Sequence, residues 1–272
     1  MTSSALALSG VLAANGEGFH APTVEEFYPA PIASFSLLGL DFEITRITII
    51  MWIATAAILA LLVSAVRRPT IVPGRLQWLA ESGYSVVRDG IARDVIGPKG
   101  LPFAPFLASL FFFILANNAM SIIPLAQISP NSKFAIPLVL ALVCWVLYNW
   151  IGIREQGVGR YFKDAAIPPG VPAAALILVT PIELLQVFII RPFTLAVRLF
   201  ANMFAGHMLL AVFALGTSYL LFVGNFSVIF APFSFLMALA MTFFELLVIV
   251  LQAYVFTVLM ATYLSGAVEP AH

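Results

Sequence analysis

The sequence predicts an all-α integral membrane protein with about five transmembrane crossings and one interfacial amphipathic helix, the last two helices being long and strongly tilted. Three observations lead there: the composition, the lengths of the apolar runs and the placement of charge. Of 272 residues, 62% are hydrophobic and 10% charged, against roughly 45–50% apolar and about 25% charged for a soluble domain. The mean hydropathy is +1.04. A water-soluble fold would leave much of that apolar surface wet, whereas lipid accepts outward Leu, Phe and Val without cost.

The formal net charge is zero, with 13 basic and 13 acidic residues, so no global field draws nucleic acid or an anionic surface. Distribution says more than the sum. Residues 1–45 hold Glu17, Glu25, Glu26, Asp41 and Glu43 and no Lys or Arg, while 67–99 hold Arg67, Arg68, Arg75, Arg88, Arg93 and Lys99. Basic loops stay cytoplasmic, which puts the N-terminus outside and, after five crossings, the C-terminus inside. The sole cysteine, Cys144, lies in an apolar run beside Trp145, which predicts a packed thiol rather than a disulfide or a metal ligand. The first 14 residues have a short apolar stretch but no basic residues before it, a pattern that gives weak support to a cleaved leader.

Along the chain, residues 1–43 form an extracytoplasmic tail. Residues 44–66 carry only Arg46 as a charge and reach the ~20 residues that cross about 30 Å of hydrocarbon; the run stops at Arg67-Arg68-Pro69. The cytoplasmic loop 67–100 contains a mildly amphipathic stretch from Leu76 to Ile96, bounded by Gly74 and by Gly97-Pro98, read as the interfacial helix. A hairpin occupies 101–153. Its first crossing runs from about Phe103 to Ala126 with the polar pair Asn117-Asn118, a tight outer turn falls at Ser129-Pro130-Asn131-Ser132, and Phe134–Ile153 returns through an aromatic belt of Trp145, Tyr148 and Trp150. Residues 154–170 form a second basic loop, and 266–272 a short tail.

The stretch 171–265 differs from the rest, since its only charges are Glu183, Arg191, Arg198 and Glu245. It reads as a helical hairpin broken near Gly224-Asn225. Residues 226–265 would be roughly 60 Å long as one helix, about twice the hydrocarbon thickness, so strong tilt or a break near Pro232 must absorb the excess. No internal repeat is present, and with it no inverted-repeat transporter pattern.

The chemistry concentrates in this stretch. Arg198 has apolar neighbours and no acid within its local turns. Such a placement costs about 2.5–3.5 kcal/mol on insertion scales and marks a functional path, a snorkelling interfacial arginine being the plainer alternative. Its guanidinium does not deprotonate. Asn202, one turn on, either hydrogen-bonds water or the guanidinium, or packs helices as an amide. His207 lies nine positions from Arg198, on the opposite helix face; it is either a proton carrier or a structural imidazole. Glu245 and Gln252 are seven positions apart and share a face. Glu245 is a proton-relay or partner candidate, because an intramembrane carboxylate must be neutral, paired or wet. Glu183, after Thr180-Pro181, is either a second deep acid or an early-turn helix cap.

The run Arg191-Pro192-Phe193-Thr194-Leu195-Ala196-Val197-Arg198-Leu199-Phe200-Ala201-Asn202-Met203-Phe204-Ala205-Gly206-His207, followed by Glu245 and Leu251-Gln252-Ala253-Tyr254-Val255-Phe256, resembles subunit a of the bacterial F-type rotary ATP synthases. The likeness is close over about 180–265 and extends elsewhere as the five-crossing layout. It implies a stator proton channel with Arg198 as the essential arginine between two half-channels, and a proton path drawn from Asn202, His207, Glu245 and Gln252. Asn118 and Glu183 are further candidates. The implied partners are c-ring proteolipids, peripheral-stalk subunit b, the ATP synthase holocomplex and the bilayer. No cofactor or metal is implied, and no nucleotide-binding motif occurs, so the chain would serve an enzyme complex without itself binding ATP. A stand-alone secondary transporter or channel is the rival reading, and a purely structural membrane subunit a third.

Overall fold

A computed structural model describes residues 22–23, 29–37, 40–67, 70, 72–123, 126–167, 173–222 and 226–268. The leader question at 1–14, the Arg68-Pro69 stop, the Pro168-Pro169-Gly170 break and the Gly224-Asn225 break lie outside those residues.

The first described elements are strands, β1 (Ala33–Leu37) and β2 (Leu40–Ile44). They form an antiparallel hairpin with Phe35 opposite Phe42, where the sequence suggested only a tail. Helix α1 (Arg46–Val66) follows at once. Helix α2 (Arg75–Val87) starts behind Gly74 and passes into a π-helical segment, Arg88–Ile96. The expected interfacial helix is therefore real in extent but changes its winding halfway. Ala80, Val87, Ile91, Ala92 and Ile96 are buried, while Leu76, Trp78, Leu79 and Val86 stay outward, as a helix lying at a lipid interface requires.

A 3₁₀ turn (Pro98–Phe103) leads into α3 (Ala104–Ala119). A short 3₁₀ turn at Pro130–Ser132 makes a bend where the sequence placed a turn, capped by Ser129 Oγ accepting from the Asn131 N–H. Helix α4 (Ala135–Gln156) ends at Gly157, whose φ of 81° is open to glycine, and α5 (Val158–Ala166) begins there. The reversal brings Tyr161 against Gly152 so closely that an added Cβ would sit 2.3 Å from the Tyr161 ring. Cys144 is fully buried on α4, as a packed thiol should be.

Helix α6 (Ala173–Leu185) contains Pro181. A π-helical turn, Gln186–Ile190, joins it to α7 (Arg191–Phe222), and a 3₁₀ turn, Phe226–Phe230, precedes α8 (Ala231–Val268). The change of winding near Pro232 thus falls just before it. In the first helical turn a proline's missing N–H removes no bond. At 32 and 38 residues, α7 and α8 would each exceed the roughly 30 Å hydrocarbon thickness if upright, so they must lie oblique to the membrane normal.

Among the described residues, five helical stretches are long and apolar enough to cross a membrane: Arg46–Val66, Pro98–Ala119, Ala135–Gln156, Ala175–Phe222 and Phe226–Val268. The second crossing stops at Ala119 rather than near Ala126. The chain partitions into two compact units, one built from 1–56, 116–133 and 201–251, the other from 57–115, 134–200 and 252–272.

Candidate functional site

The first unit holds a buried polar cluster. Asn117, Asn118, Ser121, Ser129, Asn131 and Ser132 are all buried, at the end of α3 and in the loop after it. Buried polar side chains are satisfied by one another or by ordered water. Asn131 Nδ2 donates to Asn118 Oδ1 at 2.7 Å, Ser129 Oγ donates to the Asn117 carbonyl at 3.2 Å, and Ser121 Oγ donates to the Asn118 carbonyl at 2.9 Å. The turn at 129–132 therefore folds back onto the end of α3 through side-chain bonds that the sequence did not reveal.

Glu245 of α8 lies in the same unit, 3% exposed. The Ser121 side chain is its polar neighbour, yet neither carboxyl oxygen closes a hydrogen bond within the described chain. Asn118 Nδ2, Asn131 Oδ1 and Ser132 Oγ are likewise buried without a bond. Gly206 of α7 lies beside the carboxyl, and a Cβ added there would lie 3.8 Å from the carboxyl carbon. That is ordinary van der Waals contact, and His207 is the next residue on the helix. Asn118, Glu245 and the α7 segment bearing His207 are thus assembled in one unit. Asn202 belongs to it too and sits on an exposed face of α7.

The rim of this unit is charged. Arg46 Nη2 donates to the Ala126 carbonyl at 3.3 Å, and Lys133 Nζ to Thr45 Oγ1 at 3.5 Å. Burial pulls the Lys133 ammonium below the usual lysine range, and the Glu43 carboxylate opposes that shift.

The second unit holds Arg198, Glu183 and Gln252. Arg198 is exposed on α7 while Leu195, Ala196 and Leu199 beside it are buried, so packing anchors one helix face and presents the guanidinium on another. Among the described residues no acid pairs with it. Gln252 is 3% exposed on α8. Glu183 lies near the end of α6, not in its first turn, which holds no acid. The early-turn cap is therefore excluded: the helix begins at Ala173, seven residues before Thr180, and runs through Pro181.

Around Arg191 the second unit has a ring of aromatics absent from the sequence-level site. The Arg191 guanidinium carbon is 5.2 Å from the Tyr263 ring centroid, Tyr148 and Tyr263 lie 5.6 Å apart, and Tyr148 Oη donates to the Val187 carbonyl at 2.8 Å. Tyr161 Oη donates to Asn149 Oδ1 at 2.7 Å.

Five membrane-length helices define a multi-pass membrane protein, and its last two long helices keep Arg198, His207 and the buried Glu245 among apolar residues. Comparison with known proteins sharpens this. The profile of the ATP synthase A chain family matches residues 48–265. ATP synthase subunit a of Parafrankia sp. (strain EAN1pec) is 47% identical over 265 residues, covering 95% of this chain and 88% of the relative. The subunit a sequences of Rhodococcus erythropolis and Nocardioides sp. are 42% and 40% identical, covering 92% and 98% of this chain and 91% and 99% of theirs. The chain belongs to the ATP synthase A chain family. With that membership and its five spans, it is a multi-pass bacterial membrane protein of the proton-translocating membrane sector.

Proposed function

We propose that this chain is the stator proton channel of the synthase's membrane sector. Two aqueous half-channels, each ending at mid-membrane, deliver protons to and from carboxyls on a rotating ring of c proteolipids, and Arg198 separates them. The observation that carries this reading is the Arg198 side chain: exposed on a packed helix in an apolar stretch, with no acid partner among the described residues. A cation so placed needs its counter-charge from another chain or from water.

The chemistry follows from the guanidinium's fixed charge. As a ring carboxyl approaches, the positive field favours its ionised form, and the proton leaves toward the cytoplasm. After passing, the carboxylate is reprotonated from the outer half-channel. Because Arg198 does not release its own proton, it blocks a direct leak. Each proton crossing 100 mV supplies about 2.3 kcal/mol, which the ring delivers as torque.

Glu245 and His207 form the relay on the outer side, with Asn118, Asn202 and Gln252 lining the access path and Glu183 a further path residue. The buried unbonded atoms of Asn118, Asn131, Ser132 and Glu245 support this reading, since buried polar groups without protein partners are where ordered water resides. Purification from the membrane with an affinity tag tests the assignment. The chain is expected in a complex with a ring of small two-helix proteolipids, subunit b of the peripheral stalk and the soluble ATPase subunits. Full proton transport by the purified polypeptide alone, in vesicles, would favour a stand-alone transporter instead.

The acidic tail and the basic loops orient the chain with its N-terminus outside and its C-terminus in the cytoplasm. In a Cys144→Ala background, a membrane-impermeant thiol reagent applied outside should label Ser3→Cys and leave Ala271→Cys untouched. Labelling of both variants would mean an even number of crossings.

A further inference from the structure

We infer that Tyr148 is a positioning residue for Arg198: its hydroxyl replaces a backbone donor that Pro192 cannot supply, and so holds the π-helical turn that sets the rotational register of α7. The inference rests on the stator-arginine reading and extends it to a residue outside the membrane-sector motif.

In the turn Gln186–Ile190 the Arg191 N–H bonds the Gln186 carbonyl, five residues back. The next donor in that ladder is residue 192 and its acceptor is Val187. Residue 192 is proline and has no N–H. The Val187 carbonyl sits on a buried residue, 5% exposed, where an unbonded carbonyl is unfavourable. Tyr148 reaches it from α4: its hydroxyl donates at 2.8 Å, and its own side chain is 1% exposed. The missing ladder bond is thus made by a side chain of another helix.

The tyrosine is itself fixed. Its ring packs 5.6 Å from Tyr263, and the Arg191 guanidinium lies over the other partner, 5.2 Å from the Tyr263 centroid. Helix α7 is therefore held at its first residue and one turn before it. A π turn contains one residue more than an α turn needs, so relaxing it to α winding rotates everything downstream by about 100° relative to the upstream helix. Arg198 lies seven positions beyond Arg191, two turns into the rotated segment, and a rotation of that size moves its guanidinium to another face. Winding is the quantity the Tyr148 hydroxyl controls, and the position of a fixed charge is what it changes.

Three variants in the assembled synthase, reconstituted in vesicles, test this, with every rate divided by the amount of complex recovered. Tyr148→Phe keeps the ring contacts and deletes only the donor; proton-driven ATP synthesis should fall about tenfold, and passive proton leak through the stripped membrane sector should rise. The double variant Tyr148→Phe/Pro192→Ala returns an N–H to position 192 and should recover most of the lost synthesis. A residue needed only for folding would lower recovery without raising leak per complex. Wild-type coupling in Tyr148→Phe, or an equal loss in the double variant, overturns the inference. Arg198→Ala in parallel separates the two levels: if it abolishes synthesis while Tyr148→Phe does not, only the positioning role fails, and if it leaves synthesis intact, the stator reading beneath it fails.

Discussion

Arg198→Ala is expected to abolish proton-driven ATP synthesis while leaving passive proton flow through the membrane sector intact or larger. The two effects differ in sign because, in the proposed mechanism, one charge serves two purposes. Without the guanidinium no field forces a ring carboxyl to give up its proton, so rotation loses its coupling to proton flow. The same deletion removes the electrostatic barrier between the half-channels, so protons pass without rotation once the soluble ATPase part is stripped away. Arg198→Lys should also fail in synthesis. Lysine retains a positive charge, but its compact ammonium lacks the planar fork of the guanidinium and loses its proton far more readily when desolvated. Helix α7 should be undisturbed in both variants, because Arg198 is exposed while Leu195, Ala196 and Leu199 do the packing. Vesicles carrying the stripped sector, an imposed potential and a pH-sensitive dye measure leak, and intact complexes measure synthesis. Retained synthesis in the alanine variant would sink the assignment of Arg198 as the stator charge.

The parts of this fold legible in the sequence are those that lipid enforces. Hydrocarbon has a thickness, so runs such as Ile44–Val66 and Phe134–Ile153 must be helices of bilayer length, and the helices observed there, Arg46–Val66 and Ala135–Gln156, agree within a few residues. Charges in hydrocarbon are expensive enough to be rare, which is why Arg198 and Glu245 stand out without any structural information. The polar bend at Ser129–Ser132 was visible for the same reason, as a turn between two apolar runs.

What was not legible arises from contacts between distant positions and from helix winding. Nothing in the spacing of Asn117-Asn118 and Ser129–Ser132 says that the second group folds back to bond the first, because a tight turn can face water or protein equally well. The hairpin of β1 and β2 was missed within an acidic tail, where its alternation is short. The π-helical segments at Arg88–Ile96 and Gln186–Ile190 were missed because a hydrophobic pattern in a membrane helix is nearly continuous and carries no period to betray a change of winding. A signal did exist for the second: Pro192 removes a donor just after the turn, and an aromatic with a hydroxyl on a neighbouring span is the kind of group that replaces it. Of the two readings open for Glu183, the cap rests on Pro181 looking like the first turn of a helix, whereas α6 begins at Ala173 and runs through it.

Glu245→Gln should slow proton transfer through the outer half of the proposed path by about a hundredfold, at the low end of the range for a group that accepts and donates protons, without lowering recovery of the assembled ring complex. The change is nearly isosteric and leaves the space beside Gly206 filled as before. It removes the ability to carry a proton, and the amide has no net charge to be desolvated, so folding is not penalised. The carboxyl it replaces is 3% exposed and has no hydrogen bond within the described chain, with Ser121 as its polar neighbour. Such a group contributes little to holding the helices together, which fits the proposed role in proton transfer. Glu245→Asp, which keeps a titratable carboxyl but draws it back by one methylene, should fall between the wild type and the glutamine variant. That order separates proton carriage from shape, since glutamine preserves shape and aspartate preserves chemistry. ATP-driven quenching of a pH-sensitive dye in inverted vesicles reads the pumping rate, with ATPase activity as the measure of assembled complex. Wild-type pumping by Glu245→Gln would remove Glu245 from the proton path and leave the cluster of Asn118, Ser121 and Asn131 as a packing feature only.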